Sequence, residues 1–367
     1  MSSTAAEVTI IGAGVVGCAA AAVLAEAGAR VQVYERDEVA GAASGRNSGV
    51  VQHPFDPVLA DLHVETVGLY RELDGLALPV DPAGVLMLAR DPAQLAGVAA
   101  GIGREAPALR PTLLEPAEVR QLEPALAPGL AGCRLETGFP VRPASATRAL
   151  ARRAHVLGAV FHEHEPAWPW VGSGRARGVI AAGVRRPADA VLVTAGPWTP
   201  EVVDTTGAWR PIEHVWGVVA EVELADPPRH VVEEAGVEAV AAGGPSGAHG
   251  SVFSAVSADG VTSVGSTFLR EQPDPAAWTD SLLSAGAAFL PAIAHAPVRG
   301  ARACARPQSF DGRPLVGELP GIGDLWVAAG HGPWGISTGP ATARIAADAI
   351  LAGQQAVPAE LSGTRAA

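Results

Sequence analysis

The chain opens with Val8-Thr9-Ile10-Ile11, an apolar, β-branched run of the kind that lies buried in a parallel sheet. Residues 18–27 follow, rich in alanine and leucine and free of breakers, and predict a helix ending near Gly28. Val31-Gln32-Val33-Tyr34 predicts a second strand, closed by Glu35. Farther on, Leu59, Leu62, Val67, Leu69 and Leu73 recur at helical spacing with polar residues between them. Residues 84–89 read as a strand, 91–103 and 115–122 as short helices, and 144–157 as another helix. The run 190–196 reads as a buried strand entering a glycine turn, and alternating Val, Thr and Ser over about 211–270 suits an antiparallel sheet. Near the C-terminus come a strand at 325–329, a glycine-spaced turn at 330–336 and a helix at 338–351.

The turn between the first strand and helix is Gly12-Ala13-Gly14-Val15-Val16-Gly17. Between a strand and a helix this spacing is a dinucleotide-binding fingerprint. Gly12 permits the tight turn, Gly14 lets backbone approach a diphosphate, and Gly17 lets the helix lie close on the sheet. The diphosphate would meet free N–H groups at the helix start. Glu35 stands 35 − 12 = 23 positions after Gly12, where a carboxylate accepts from a ribose diol and disfavours the 2′-phosphate of NADP. These features predict an α/β fold with a Rossmann-type domain around a central parallel sheet. A second small-residue loop, Gly41 to Gly49, offers backbone donors and short polar side chains to a long phosphate-ribityl chain. The C-terminal strand, glycine turn and helix make another anion-friendly helix start, which suits a cofactor gripped at two places.

The chain has 367 residues, enough for about two domains of ordinary size. Apolar residues make up 48% and charged residues 17%, which describes a globular chain. A net charge of −12 argues against non-specific binding to nucleic acid or anionic membranes. Every basic residue is an arginine, so no lysine Schiff base can form and pyridoxal phosphate is excluded. Cys18, Cys133 and Cys304 are too few and too scattered for a disulfide framework or a zinc ribbon, which fits a reducing cytoplasm. No signal peptide or membrane span is expected. His155, His162, Glu163 and His164 match no metal-ligand spacing and read as a solvated connection.

Five stretches together resemble the D-amino-acid oxidase superfamily of FAD enzymes: the fingerprint, Ser44 to Gly49, Thr194-Ala195-Gly196-Pro197-Trp198, Arg306 to Gly317, and Gly330 to Gly339. The resemblance implies a nucleotide-binding domain assembled from residues 1–80, 141–208 and 300–367. It also implies an inserted α+β substrate domain, residues 81–140 and 209–299, on a mixed, largely antiparallel sheet. It implies FAD, held non-covalently. In the first unit the contacts would come from Gly12, Gly14, Val15, Val16 and Gly17, with Glu35 and Arg36 beyond them. Ser44, Arg46, Asn47 and Ser48 would line the second loop. Ala195, Gly196 and Trp198 would serve from the central strand, and Gly332, Trp334, Gly335, Ile336 and Ser337 from the C-terminal turn. Arg306 matches the arginine that pairs with a substrate carboxylate in glycine oxidase and D-amino-acid oxidase, a task suited to a guanidinium fork. Cys304, at 311 − 304 = 7 positions before Asp311, matches a cysteine bonded to the flavin in monomeric sarcosine oxidase, although a small buried core residue is the better reading. The lysine that sarcosine oxidases use to activate oxygen has no counterpart.

The expected function is FAD-dependent oxidation of the C–N bond of a small amine or amino acid, with hydride transfer to flavin N5. Arg306 anchors the carboxylate, and His331 and His249 are the other catalytic candidates. Electrons would pass to oxygen by another route, or to a quinone or protein. Two alternatives stand beside it. One is a 2-hydroxy-acid dehydrogenase, with His331 or His249 as base, suggested by Arg46-Asn47-Ser48-Gly49. The other is a flavin-binding subunit of a larger complex. Within 211–270, Trp216, His249 and Arg270 are the candidate pocket residues.

Overall fold

The computed structural model describes residues 5–237, 251–352 and 357–366. A six-stranded sheet runs in the order Leu315–Glu318, Leu325–Ala329, Ala190–Val193, Glu7–Ile11, Arg30–Tyr34, Val160–His162. All neighbours are parallel except the edge strand Leu315–Glu318, which is antiparallel to Leu325–Ala329. The central strands read as unbroken apolar runs because both faces are covered. One face carries the helices Val15–Glu26, Pro143–Val156 and Gly335–Ala352, where Ala19 to Ala22 pack against Ala146, Ala343 and Ala347. Small side chains there let helix backbones lie close together. The other face carries an antiparallel sheet of Ala167–Gly172, Arg175–Ala181 and Val184–Pro187, whose Val179 and Ala181 pack with Val191, Val193 and Val327.

The second large sheet has eight strands in the order Val298–Ser309, Ile212–Val222, Val261–Thr267, Ser251–Ala258, Val231–Glu234, Val85–Ala89, Ala131–Leu135, Thr112–Leu114. Its pairings are antiparallel but for Val231–Glu234 with Val85–Ala89, which joins two segments far apart in the chain. The alternation read over 211–270 therefore appears as antiparallel strands, and the sheet as a whole is mixed. Residues 298–309, assigned from sequence to the nucleotide-binding unit from 300 onward, pair along their length with Ile212–Val222 and belong to this sheet. Arginines at 299, 302 and 306 hide the strand from an apolar pattern, because its inward face is polar for a reason given below. Two of the helices begin on capping aspartates: Asp56 and Asp91 each accept a backbone N–H two residues on, followed by proline at the first helical position. The three-stranded sheet was not read from the sequence, and neither was the helix Pro275–Ala287, although it starts in the same way, on Asp274 with a proline after it.

Among the described residues, no helix is long and apolar enough to cross a membrane. The three cysteines are buried, and none is in a disulfide among the described residues. His162 stacks on Tyr34 and bonds Gln32, Glu163 accepts from Val39 N, and the His164 N–H bonds Asp37 O. These residues fasten an edge strand.

Candidate active site

The parallel sheet delivers its first glycine turn against Thr194, at the end of the neighbouring strand. Gly12 has φ +110, and a Cβ on it would stand 2.7 Å from Thr194 O. At Gly17 a Cβ would stand 1.9 Å from Gly12 O. Both glycines are required by close approach. The helix Val15–Glu26 has no side-chain cap and no acid in its first turn. Ser44 Oγ accepts from Val15 N at 2.9 Å. That geometry leaves a donor-rich, uncharged helix start of the kind that binds phosphate. Glu35 is fixed by two backbone donors, Ala13 N to Oε2 at 2.8 Å and Asp37 N to Oε1 at 3.0 Å. Its carboxylate still has acceptor capacity, and it faces the same cavity.

That cavity has a volume of about 410 Å³ and runs between the two sheets. At one end stand Glu35, Arg36 and Trp198, with the Arg36 guanidinium 3.8 Å over the Trp198 ring. Its middle is lined by Gly14, Val15, Val16, Ser44, Asn47 and Ser48, with Ala195 and Gly196 from the central strand. Asn47 closes the loop on itself, Nδ2 donating to Ala43 O and Oδ1 accepting from Gly49 N. From the opposite end of the chain come Gly332, Trp334, Gly335, Ile336 and Ser337, at the start of the helix Gly335–Ala352, which begins before the expected Thr338. Tyr70 Oη donates to Ile336 O at 2.8 Å and holds that helix start from behind. Two predicted residues lie off the wall: Gly17 does its work in packing, and the Arg46 side chain is exposed, its carbonyl accepting from Arg302.

The far end is the chemically loaded one. Arg306 is half-buried on the sheet face. Its Nη1 donates to Thr267 O at 2.9 Å, its Nη2 to Ser266 Oγ at 2.6 Å, and it lies 4.3 Å over the Phe268 ring. Among the described residues no carboxylate pairs with it. Desolvation lowers its pKa, so the charge is held at a cost that an incoming anion would offset. Room for the guanidinium is made by Gly217, where a Cβ would lie 2.5 Å from Nη2. We expect Gly217→Ala to push Arg306 off its two acceptors and lower kcat/KM roughly 5- to 150-fold, the usual 1–3 kcal/mol of overpacking, mostly through KM; steady-state kinetics check it.

His331 also reaches the cavity, 2% exposed, and its Nε2 has no partner among the described residues. Burial lowers its pKa to about 4, so the ring is neutral at neutral pH. Trp216 is absent from the cavity wall and stacks loosely on His214, and Arg270 is an exposed partner of Glu213. His249 lies outside the described residues. Sequence reading missed Gln52, Gly217, Glu233, Ser254, Ser266 and Phe268, all of which line the far end. Nothing in their local patterns marks them.

An orphaned acceptor or donor, an uncapped helix start, a ribose-competent acid and a second helix start, all on one elongated wall, fit a dinucleotide with a large ring system at the Arg306 end. The family model described as DAO, FAD dependent oxidoreductase, matches residues 7–349. The chain belongs to this family of FAD-dependent oxidoreductases. The glycine oxidase of Pseudomonas aeruginosa is 28% identical, over 95% of this chain and 96% of its own length. Among solved structures, the glycine oxidase of Geobacillus kaustophilus superposes with a TM-score of 0.82 at 25% identity, covering 98% of this chain and 99% of that one. The iminodiacetate oxidase of Chelativorans sp. BNC1 gives 0.80 at 25%, covering 97% and 98%.

In this FAD-dependent oxidoreductase Cys304 also lines the cavity, its Sγ 3.6 Å from Arg46 O. Burial pushes its pKa up, against the opposing pull of Arg306, Arg302 and Arg46. A protonated thiol is a poor nucleophile. A second buried imidazole, His63, sits edge-on to His53 with ring centroids 5.6 Å apart, and burial, then His53, lower its pKa to about 4. Folded-state His63 and His331 therefore stay neutral until about pH 4, whereas the unfolded chain protonates near the ordinary histidine value. Between those limits the unfolded state binds more protons. Stability is complete above about pH 6.5 and declines as pH falls toward 4, by up to about 3 kcal/mol per histidine. Scanning calorimetry of the FAD-loaded protein should show Tm dropping across that window; a flat profile would contradict the burial of neutral imidazoles.

Proposed function

We propose that this enzyme oxidises the C–N bond of a small amino acid or amine whose carboxylate is held by Arg306. The observation that carries the reading is the Arg306 guanidinium: it is desolvated, has no carboxylate partner among the described residues, and gives two of its five donors to the protein, leaving the rest for a ligand. The named activities of the similar proteins, glycine oxidase and iminodiacetate oxidase, support it. In this reading residues 5–80, 141–208 and those after Ser309 form the nucleotide-binding unit, and the eight-stranded sheet walls the substrate site.

FAD, when bound, supplies the hydride acceptor. The protein supplies position. Arg306 fixes the carboxylate, Gly217 and Ser266 fix Arg306, and Phe268 and Val252 exclude water beside it. No lysine is available to raise the local positive charge. His331, neutral and unpartnered at Nε2, is placed to accept or donate one hydrogen bond at the buried wall. The reacting amine must be neutral, so the rate rises with pH. FAD is held non-covalently, since the Cys304 thiol stays protonated. A cytoplasmic location agrees with three cysteines outside any disulfide.

Anaerobic bleaching of the visible flavin band tests the proposal against D- and L-amino acids, N-methyl amino acids and 2-hydroxy acids. Bleaching by an amino-acid class is the expected result. Bleaching by hydroxy acids alone would overturn it in favour of hydroxy-acid oxidation, and bleaching by none would favour a partner-dependent subunit.

A further inference from the structure

Arg302 shares a strand face with Cys304 and Arg306, since side chains alternate along Val298–Ser309. Its side chain is mostly buried, 16% exposed, yet it lies off the cavity wall. Arg306 keeps donors to spare, whereas the Arg302 fork is spent within the protein. Nε donates to Arg46 O at 3.0 Å, and Nη2 to Asn47 O at 2.8 Å and Ser263 Oγ at 3.1 Å. Nη1 pairs with Glu221 Oε1 at 2.5 Å. Glu221 and Ser263 are register partners on the next two strands. One guanidinium thus joins three adjacent strands of the eight-stranded sheet to two carbonyls that lie 255 and 256 positions away in sequence.

Those carbonyls belong to the second small-residue loop, of which Ala42, Ala43, Ser44, Asn47 and Ser48 line the cavity. The short helix Ala43–Arg46 ends at Asn47, and the last carbonyls of a helix have no partner within it. Side chains supply the donors. Asn47 Nδ2 reaches Ala43 O at 3.0 Å and Ser44 O at 3.2 Å, and Arg302 takes the carbonyls of Arg46 and Asn47. A trans peptide holds C=O and N–H on opposite sides. With Asn47 O turned to Arg302, the Ser48 N–H faces the other way. The same loop presents Ser44 Oγ to Val15 N at the start of the fingerprint helix. Its shape is therefore set from behind by a charged donor, whose hydrogen bonds are about twice as strong as neutral ones.

We propose that Arg302 is a positioning residue for FAD. It holds loop 42–48 in the conformation that retains the cofactor, so flavin retention depends on a side chain of the eight-stranded sheet that does not line the cavity. Arg299 supplies the contrast: it lies on the same strand, pairs with Glu223 at the surface, and among the described residues bonds no carbonyl of the loop.

The test uses the FAD-loaded protein. Release of FAD on dilution is followed by the rise in flavin fluorescence, in Arg302→Met, Arg302→Lys and Arg299→Met. Hydrogen exchange of the loaded proteins is read by mass spectrometry. We expect Arg302→Met to release FAD at least about tenfold faster, the low end for one lost hydrogen bond from a charged donor, with faster exchange in residues 41–50. A folded protein that purifies colourless is the same result at its limit. Arg302→Lys keeps the charge, but an ammonium cannot span two carbonyls, Ser263 and Glu221 as a planar fork does; its release rate should lie closer to Arg302→Met than to wild type, and it decides the matter should Arg302→Met not fold. Arg299→Met should release FAD at the wild-type rate. A residue that merely fastens strands would give another pattern: a lower Tm and faster exchange in residues 212–222 and 298–309, with loop exchange and FAD release unchanged. That pattern, a wild-type release rate in Arg302→Lys, or equally fast release from Arg299→Met would overturn the proposal.

Discussion

Replacing Arg306 with alanine should lower kcat/KM for a carboxylate-bearing substrate by roughly 30- to 5,000-fold, the 2–5 kcal/mol that follows truncation of one partner of a desolvated charge pair. The loss should fall mainly on KM, because the anchor acts in ground state and transition state alike. Arg306→Lys should recover little. An ammonium cannot reproduce a planar fork that bonds Thr267 O and Ser266 Oγ on one side and a carboxylate on the other. Flavin content should stay at the wild-type level, since the guanidinium sits on the sheet facing the fingerprint and not within it. Kinetics within a few-fold of wild type, with full flavin content, would remove Arg306 as the anchor.

Gly17→Ala should give a protein that purifies colourless, with FAD affinity down by about 100-fold or more. The added methyl would stand 1.9 Å from Gly12 O and 2.6 Å from Thr194 Oγ1, so the helix must lift from the sheet and take its N–H groups away from the diphosphate. Overpacking of this kind costs about 1–3 kcal/mol when the neighbour can yield, and here the neighbour is backbone. Gly28→Ala is the control. Its φ of +89 makes alanine strained, but no atom lies within 4 Å of the new Cβ, so the protein should lose some stability and remain yellow. The ratio of visible to ultraviolet absorbance and a titration with FAD read both variants. A yellow Gly17→Ala protein with unchanged FAD affinity would show that close helix–sheet approach does not govern the diphosphate site.

The parts of this protein that could be read from its sequence are those whose physics is local. The turn Gly12 to Gly17, the strands on either side of its helix and the acid at Glu35 lie within a few residues of one another, so spacing alone defined their geometry. The C-terminal turn around His331 was legible for the same reason. Arg306 was legible only through resemblance, since nothing in Ala305-Arg306-Pro307 distinguishes a ligand arginine from a surface one. Its strand, 298–309, was not read as a strand of the eight-stranded sheet, because the inward side chains that normally mark a strand as apolar are here Arg302, Cys304 and Arg306, turned toward loop carbonyls and a cavity.

Sequence by itself determined the cofactor class, the parallel sheet and the two glycine turns that come to line one cavity, because each depends on backbone conformation over a short stretch. Only the tertiary structure decided what surrounds the reacting end. Gln52, Gly217, Glu233, Ser266 and Arg306 come from four strands and a loop, and they meet because Val231–Glu234 pairs in parallel with Val85–Ala89 while Val298–Ser309 closes the opposite edge. A lone glutamate in Val-Val-Glu-Glu carries no local sign of burial. Its meaning appears only when a sheet places it on the wall of the cavity that Arg306 also lines.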